Sequence, residues 1–405
     1  MFWIFATISE IIYVLIVLRR LQQPILDLHQ NSDLFFILVS LTILLVLYFS
    51  FYRVINWKQL SAKKIFLVSV LFQVTFLFTP FLTSDDIYTY VFSSRLLPIW
   101  GANPYTIPFD NFPQDPIYQQ VKTMWSSFTV IYGPLFLHIG AVINLIGQNS
   151  FNILISLFKA TLIGANIANS LLIYKLTNSK KALFLYGSSP LIIFELAGNG
   201  HLDSILILFL LISFFLLSKK PTFGFTSLTA SVLIRYFTIV LAPFFSIYIL
   251  HKGIRSFALA LVLSLVLVIG VYIPFWTSPY IFDYLISYYN EVSPFPSLGI
   301  LAGLVIFESY KVSFNVNTLL FLLILIILTI KLFRSKNDIA QLIFFSMLLY
   351  WVFLLTKLNL VLTWYLAPVI ALSSLCLISK KYSNYGVKGI ALASLYSLVL
   401  YFWVR

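Results

Sequence analysis

The sequence predicts an all-α, polytopic membrane protein: a transmembrane bundle of about thirteen spanning helices without a separate soluble domain. Hydrophobic residues make up 60% of the 405 residues and charged residues only 10%, whereas an ordinary soluble domain has about 25% charged residues. The apolar residues also fall into segments near the length of about 20 residues that a helix needs to cross a bilayer. This composition excludes a soluble enzyme or binding domain.

The apolar segments define the predicted spans in chain order. They cover residues 2–18, 34–52, 65–82, 151–174, 182–197, 203–218, 222–235, 236–250, 256–275, 314–333, 338–355, 361–379 and 386–403. The first segment lacks a basic flank and a small-residue cleavage site, so we expect a retained helix and not a signal peptide. One membrane domain is expected over residues 1–405, with the last helix in residues 381–405.

The basic residues predict the topology. The net charge is +13, and most Lys and Arg residues lie in short clusters between apolar segments, such as Lys180/Lys181 and Lys219/Lys220. Loops rich in Lys and Arg usually face the cytoplasm. This pattern argues against nucleic-acid binding and indicates a multi-pass protein of the plasma membrane with a cytoplasmic N-terminus. Arg19 and Arg20 are exceptions, because the same topology places them outside.

Two apolar segments could each be one spanning helix. The requirement that all basic clusters lie on the cytoplasmic side decides against that for both. Residues 127–147 become an interfacial or re-entrant helix in the first large outer loop. Residues 222–250 become two short helices that meet at Arg235, each about 21 Å long at a rise of about 1.5 Å per residue. Ten of the thirteen Asp and Glu residues then lie outside, so we expect the polar chemistry at the outer face.

The strongest polar motif follows the third span, in TSDDIYTYVFSSRLLPIWGANPYTIP at residues 83–108. Asp85 and Asp86 come directly after an apolar segment, and a carboxylate is a natural general base for an acceptor hydroxyl. The motif supplies further candidate substrate-binding residues, namely Tyr88, Tyr90, Arg95, Asn103 and Tyr105. The alternative is structural: Ser84 caps a helix whose first turn holds both carboxylates, and the tyrosines belong to an interfacial belt.

A second motif is SSPLIIFELAGNGHLDSILI at residues 188–207. Asn199, His201 and Asp203 are candidate substrate contacts in a tight outer turn, and Glu195 lies about one helical turn inside the membrane. The alternative is a glycine turn in which Asp203 caps the next helix. We expect no metal site, because the four His residues are scattered and the chain has one Cys, too few for a usual ligand set.

Three isolated cations are candidate ligands for a donor phosphate: Arg235, Lys159 and Lys357. A charge near the bilayer centre costs about 2.5–3.5 kcal/mol and indicates a functional site by default. Arg is the best candidate of the three because its guanidinium binds phosphate bidentately. For Lys159 the alternative is a side chain that reaches back to the membrane interface.

Aromatic residues form the fourth group. Trp364 and Tyr365, like Tyr288 and Tyr289 beside Glu291, are candidates for stacking on sugar rings. The alternative is that they belong to the aromatic belt at the membrane interface.

Taken in order, these motifs resemble a known family. DDIYTYVF and GANPY, YGPL at 132–135, PLIIFELAGNGHLDSI, LIRYFTIVLAPFF at 233–245 and TWYLAPV at 363–369 are similar to motifs of GT-C fold glycosyltransferases. The nearest match is to polyprenyl-phosphate-mannose-dependent mannosyltransferases of the α-1,6 type. The resemblance covers about residues 65–380, with two helices upstream in residues 1–64 and an outer catalytic loop at 83–147.

The resemblance implies a reaction and assigns roles. A hexosyl unit, with mannose as the closest match, moves with inversion from a polyprenyl-phosphate sugar to a glycan, glycolipid or protein acceptor at the outer face. Asp86 with Tyr90 matches the family's catalytic Asp, Asp85 completes an acidic dyad, and Arg235 stands where the family has Lys or Arg. Tyr132, from the YGPL motif, joins the substrate-binding set. No cofactor is implied, although metal-dependent members of the superfamily leave a divalent cation open.

Two other functions stay open from the residues alone. A transporter or a flippase for lipid-linked sugars would also carry intramembrane charges and a broken helix pair, although the sequence has no internal inverted repeat. The third hypothesis is a non-catalytic scaffold for envelope assembly. Removing the carboxylate of Asp86 distinguishes the three hypotheses, because only an enzyme would lose turnover and keep its fold.

Overall fold

The computed structural model describes residues 1–22, 25–27, 29–123, 125–277, 279–283, 296–335, 338–358 and 360–403. These residues form helices, turns and connecting segments without a strand, which confirms the all-α class. The α-helices are α1 Phe2–Leu21, α2 Asn31–Val54, α3 Ala62–Val74, α4 Asp86–Trp100, α5 Tyr118–Val121, α6 Pro134–Gly147, α7 Phe151–Thr177, α8 Lys180–Gly187, α9 Pro190–Ile192, α10 Asp203–Leu217, α11 Pro221–Val232, α12 Ala242–Leu250, α13 Ile254–Tyr272, α14 Leu298–Phe307, α15 Tyr310–Phe333, α16 Ile339–Thr356, α17 Ala367–Leu375 and α18 Lys380–Trp403.

Several helices are long and apolar enough to cross a membrane. Within the described ranges there are seven: α1, α2, α7, α13, α15, α16 and α18. Six shorter apolar helices accompany them, so the protein is an integral membrane protein, but the predicted count of thirteen spans is not confirmed. Proline explains part of the difference: Pro190, Pro243 and Pro368 each lie in the first turn of a helix, where proline is tolerated because its missing N–H has no partner there.

The predicted helix over 127–147 is present only from Pro134 onward. Its fourteen residues span about 21 Å at about 1.5 Å per residue, less than a bilayer core of about 30 Å. Whether it lies at the interface or enters the membrane stays a prediction.

Connections that were predicted to share the outer side meet one another. The Leu26 N–H donates to the Leu82 carbonyl over 2.9 Å, and the Gly133 N–H donates to the Ile234 carbonyl over 2.9 Å. A Cβ at Gly133 would lie 2.1 Å from the Leu233 carbonyl oxygen, so only glycine allows this approach. These contacts join the α1–α2 connection to the segment after α3, and the start of α6 to the α11–α12 junction.

Two of the basic connections meet each other. Lys180 Nζ donates to the Leu60 carbonyl over 2.7 Å, and Lys181 Nζ lies 6.0 Å from the centre of the Trp57 ring. Two of the predicted basic clusters, those of the α2–α3 and α7–α8 connections, thus lie together as expected. The grouping of the other basic loops and their assignment to the cytoplasm stay predictions.

The exceptions, Arg19 and Arg20, have specific partners. Arg19 Nη2 donates to Asp33 Oδ1 over 2.9 Å. Arg20 is buried; its Nε donates to the Phe81 carbonyl over 2.8 Å, and its guanidinium lies over the Phe81 ring. An ion pair and a bonded carbonyl offset the charges, which explains why they stand outside the general pattern.

Candidate active site

A cleft opens beside the first turn of α4. It holds about 530 Å³ of empty space, part of which is open solvent. Its walls come from α4, the connection that leads into α6, the α11–α12 junction and the connection between α16 and α17. The lining residues are Asp86, Thr89, Ser93, Trp125, Phe128, Thr129, Val130, Ile131, Tyr132, Arg235, Leu360, Leu362, Trp364 and Tyr365. Five predicted site residues, which come from four separate motifs, therefore share this cleft.

Asp86 lies in the first turn of α4, whose N-cap is Asp85. The helix start that the structural alternative predicted is thus present one residue later, and it turns Asp86 into the cleft. Burial raises the pKa of Asp86, while the charges of His201 and Arg235 lower it. Burial and the neighbouring Asp86 raise the pKa of Asp85 to about 6. Both carboxyl groups are therefore less acidic than an exposed aspartate.

Asp86 has a histidine and a tyrosine as neighbours. Asp86 Oδ2 lies 3.6 Å from His201 Nδ1 and 3.5 Å from Tyr90 Oη, one helical turn further along α4. His201 follows Gly200, which has a φ of +77°, a backbone conformation that suits glycine. The predicted glycine turn is real, and it carries the imidazole to the carboxylate.

Asn199 ties this turn to the segment that precedes Asp86. Its Oδ1 accepts from the Leu82 and Thr83 N–H groups over 3.1 and 2.8 Å, and its Nδ2 donates to Glu195 Oε2 over 2.9 Å. Asn199 is thus a bridge between the two polar motifs, and it lies behind the cleft wall.

Arg235 and Asp203 form a buried ion pair. Arg235 Nη1 donates to Asp203 Oδ2 over 2.7 Å. The guanidinium also lies 4.7 Å from the centre of the Tyr365 ring and 5.8 Å from that of Tyr132. The sequence showed no acidic neighbour for Arg235; the structure supplies one from the start of α10. The pair holds a fixed cation at the cleft wall.

The two aromatic residues of the 3₁₀ turn Thr363–Leu366 support these charged groups. The Trp364 ring stacks on the imidazole of His201 at 3.7 Å between centroids and 17° between planes. Tyr365 packs edge-on against Trp364 and lies against Arg235. Trp364 Nε1 is buried without a hydrogen-bond partner among the described residues. Their packing is therefore more specific than that of belt residues.

The site can be compared with known protein families. The model of the alpha-(1->6)-mannopyranosyltransferase family (MptA_B family), N-terminal domain, matches residues 16–251. This match covers more than half of the chain. The chain belongs to this mannosyltransferase family. No curated protein matches the chain. Membership confirms the resemblance to GT-C mannosyltransferases and supports a role in mannosyl transfer.

The matched region contains the charged part of the mannosyltransferase cleft. Asp86, His201, Asp203 and Arg235 fall within residues 16–251, whereas Trp364 and Tyr365 lie beyond it. The charged groups therefore belong to the part that the family shares, and the C-terminal part of the chain closes the cleft with aromatic rings.

Arg95 was predicted to bind substrate, but the structure places it in the protein interior. It is fully buried, and Nε donates to Asp115 Oδ2 over 2.7 Å. Its other nitrogens donate to the Gln148 carbonyl over 2.6 Å and to Asn149 Oδ1 over 2.5 Å. These bonds join α4 to the α6–α7 connection, so Arg95 has a structural role here.

Asn103 and Tyr105 lie one layer behind the cleft. Asn103 Nδ2 donates to the Phe275 carbonyl over 2.6 Å, which pins the GANPY loop to the end of α13. Tyr105 Oη donates to the Tyr132 carbonyl over 2.8 Å. The loop motif thus positions a cleft residue and does not line the cleft itself.

The structure also places three other predicted site residues away from the cleft. Lys159 is fully buried and donates to the Ala197 and Gly198 carbonyls at the end of the π-helix Ile193–Asn199. These bonds satisfy the last carbonyls of the helix, which corrects the expectation that Lys159 binds donor phosphate.

Lys357 Nζ donates to Thr318 Oγ1 over 2.7 Å and lies 3.9 Å from the centre of the Phe314 ring. It therefore ties α16 to α15. Tyr88 packs between Phe81 and Phe151. The second predicted aromatic group, Tyr288 and Tyr289 with Glu291, lies outside the described residues.

Sequence reasoning missed the segment with Trp125, Phe128 and Thr129, which forms one cleft wall. The signal was present, since these residues directly precede the YGPL motif. It also missed Tyr401, which donates to Glu195 Oε1 across 206 residues; a contact so distant in sequence leaves no local pattern. Among the described residues no group of three His, Cys, Asp or Glu is arranged for a metal ion.

Proposed function

We propose that the protein transfers a mannosyl unit, with inversion, from a polyprenyl-phosphate mannose to a hydroxyl group of a glycan or glycolipid. One observation carries this proposal: Asp86 and Arg235 line the same cleft within the region that matches the mannosyltransferase family. A base and a fixed cation in one cleft are the two groups that transfer from a lipid phosphate requires.

The reaction begins at the acceptor hydroxyl. Asp86 takes its proton, so the O–H bond breaks and the acceptor oxygen attacks the anomeric carbon from the side opposite the phosphate. A new C–O bond forms as the bond to the phosphate oxygen breaks, which inverts the configuration. The lipid phosphate leaves with both bonding electrons, and Arg235 stabilises the charge that it gains.

The electrostatics of the cleft support these roles. Burial keeps the pKa of Asp86 above the usual range, which strengthens it as a base once it is ionised. Arg235 is held by Asp203 at 2.7 Å and by surrounding rings, so its cation is fixed before the phosphate charge develops. Such preorganised charges are the larger part of this type of catalysis.

Two residues that line the cleft carry covered polar atoms, which a bound sugar would reach only after a small shift of the wall. Trp364 Nε1 and Thr129 Oγ1 are buried and, within the described residues, have no hydrogen-bond partner. An indole N–H is only a donor, and leaving it unpaired costs about 1–3 kcal/mol. A sugar hydroxyl or phosphate oxygen would satisfy it, whereas a purely apolar ligand would not.

The position of the site relative to the membrane belongs to the same proposal. The donor's lipid tail would lie among the apolar helices of the plasma membrane, and its sugar would reach the cleft at the outer face. A transporter would depend more on the charges of Lys159 and Glu195 than on Asp86. Both side chains are hydrogen-bonded to buried groups and do not line the cleft, which favours the enzyme over the transporter.

The test is transfer of label from radiolabelled polyprenyl-phosphate mannose to a mixed acceptor extract in proteoliposomes. Asp86→Asn is compared with Asp110→Asn, the same substitution at a residue of the same loop that hydrogen-bonds Tyr118 outside the cleft. We expect transfer by wild type and Asp110→Asn and its loss in Asp86→Asn. Full transfer by Asp86→Asn, or no transfer by wild type, would overturn the proposal.

A further inference from the structure

Glu195 is a fully buried carboxylate that the reaction above does not use. Tyr401 from α18 donates to its Oε1, and Asn199 Nδ2 donates to its Oε2 over 2.9 Å. Its Oε2 also lies 3.4 Å from His201 Nε2. Burying a carboxylate is costly unless it is bonded and compensated, so this arrangement requires a physical reason.

His201 stands between Glu195 and the cleft. Its Nε2 faces Glu195 at 3.4 Å, and its Nδ1 faces Asp86 Oδ2 at 3.6 Å. Tyr90 Oη lies 3.4 Å from the same Nδ1, and Trp364 stacks on the ring plane. Glu195, His201 and Asp86 therefore form a row that leads from the protein core to the proposed base.

The surroundings of the ring indicate which nitrogen carries the proton. Nε2 has no hydrogen-bond partner among the described residues, and it lies 3.4 Å from Glu195 Oε2. Because a carboxylate can accept a proton donor but cannot donate, its position favours the proton on Nε2. In the neutral ring the Nδ1 lone pair then faces Asp86. The other charged groups near the ring, Asp203 and Arg235, are paired with each other at 2.7 Å and leave this assignment unchanged.

We propose that Glu195 and His201 are positioning residues for Asp86, and that His201 Nδ1 takes over the proton that Asp86 removes from the acceptor. This inference rests on the proposed function. In the step, the O–H bond of protonated Asp86 breaks and an N–H bond forms at His201, so Asp86 is a carboxylate again. The resulting imidazolium lies between two carboxylates, which stabilise its charge.

The test uses Glu195→Gln in the full-length protein. A glutamine can accept from Asn199 and His201 with its oxygen and donate to Tyr401 with its nitrogen, so the packing is kept while the negative charge is lost. Glu10→Gln is the control, because Glu10 is likewise a carboxylate within an apolar helix; it is partly buried and accepts a hydrogen bond from Thr75. Turnover is measured with polyprenyl-phosphate mannose and an α-(1→6)-linked mannose disaccharide.

For Glu195→Gln we expect kcat to fall about 100-fold, the scale of a proton-transfer contribution, with KM and the melting temperature near wild type. Glu10→Gln should keep the wild-type kcat. A wild-type kcat in Glu195→Gln would overturn this inference, as would a loss that appears only in KM. If Glu195→Gln does not fold, His201→Gln must show the same loss of kcat at unchanged KM.

The two proposals fail in different ways. If Asp86→Asn keeps wild-type turnover, the proposed base is wrong and this inference fails with it. If Asp86→Asn is inactive while Glu195→Gln turns over normally, the proposed function stands and only the role of Glu195 and His201 is overturned.

Discussion

Two buried Arg–Asp pairs in this protein have the same length and different surroundings. Arg95–Asp115 and Arg235–Asp203 each join at 2.7 Å with little or no exposed side-chain surface. The other nitrogens of Arg95 bond to the α6–α7 connection, whereas the guanidinium of Arg235 lies among aromatic rings at the cleft wall. Burial and pairing alone therefore do not distinguish the two arginines; what separates the candidate functional charge is that Arg235 lines the open cleft and Arg95 does not.

The largest effect is expected when the Arg95–Asp115 pair is broken. Arg95→Ala leaves Asp115 buried with its partner removed, which costs about 3–5 kcal/mol. We expect a large fall in the free energy of unfolding or in the melting temperature. Transfer per folded molecule should stay near wild type, because Arg95 does not line the cleft. A stable Arg95→Ala protein without transfer would reverse the roles of the two pairs.

Lysine substitution separates the pairs by activity. Arg235→Lys keeps the charge and loses the planar, bidentate geometry that suits phosphate, so we expect kcat to fall about 100-fold. Arg95→Lys is the matched control and should keep kcat in whatever fraction remains folded. Steady-state transfer at saturating donor measures both, and equal kcat values for the two variants would contradict the assignment.

The pH dependence of the transfer rate tests whether Asp86, beside Arg235 in the cleft, is the base. Its pKa lies above the usual aspartate value of about 3.9 because of burial, and only the ionised carboxylate acts as a base. The rate should therefore fall, as pH is lowered, at a higher pH than for an ordinary aspartate. Arg95→Lys should leave this limb in place. An acid limb at or below pH 3.9 would show that another group is the base.

The smallest expected effect concerns Trp364. Trp364→Phe keeps an aromatic ring to stack on His201 and removes the Nε1 donor. Losing one neutral hydrogen bond to the sugar or phosphate costs about 0.5–1.5 kcal/mol, so kcat/KM should fall by roughly 2- to 12-fold at the usual factor of ten per 1.4 kcal/mol. Trp125→Phe is the comparison within the same cleft. No change in Trp364→Phe would remove the indole N–H from substrate binding.

The sequence predicted the cleft positions of Arg235 and Asp86 better than the interior position of Arg95. Arg235 stands out because it is a lone cation in an apolar helix pair, and Asp86 because it directly follows an apolar segment. Arg95 also looks like an isolated cation in the sequence. Its partners are far along the chain: Asp115 is 20 residues away, and Gln148 and Asn149 are 53 and 54 residues away. Only the path of the chain shows that these partners consume its donors.

The fold class was predictable from the sequence, whereas the ends and number of the helices were not. Composition and segment length give the all-α membrane class, and the positive clusters correctly place the α2–α3 and α7–α8 connections together. The ends and number of spans depend on proline positions and on 3₁₀ and π segments, such as Ile193–Asn199, whose hydropathy resembles that of an ordinary helix. The contact of Tyr401 with Glu195 depends on the packing of the last helix and has no local signal.

The most direct test of the account separates donor binding from chemistry in one experiment. Purified wild-type and Asp86→Asn proteins are each loaded with labelled polyprenyl-phosphate mannose, and transfer is followed in a single turnover after acceptor is added. We expect Asp86→Asn to bind the donor as wild type does, because Arg235 is intact, and to transfer about 1,000-fold more slowly. Transfer at the wild-type rate from bound donor would contradict it.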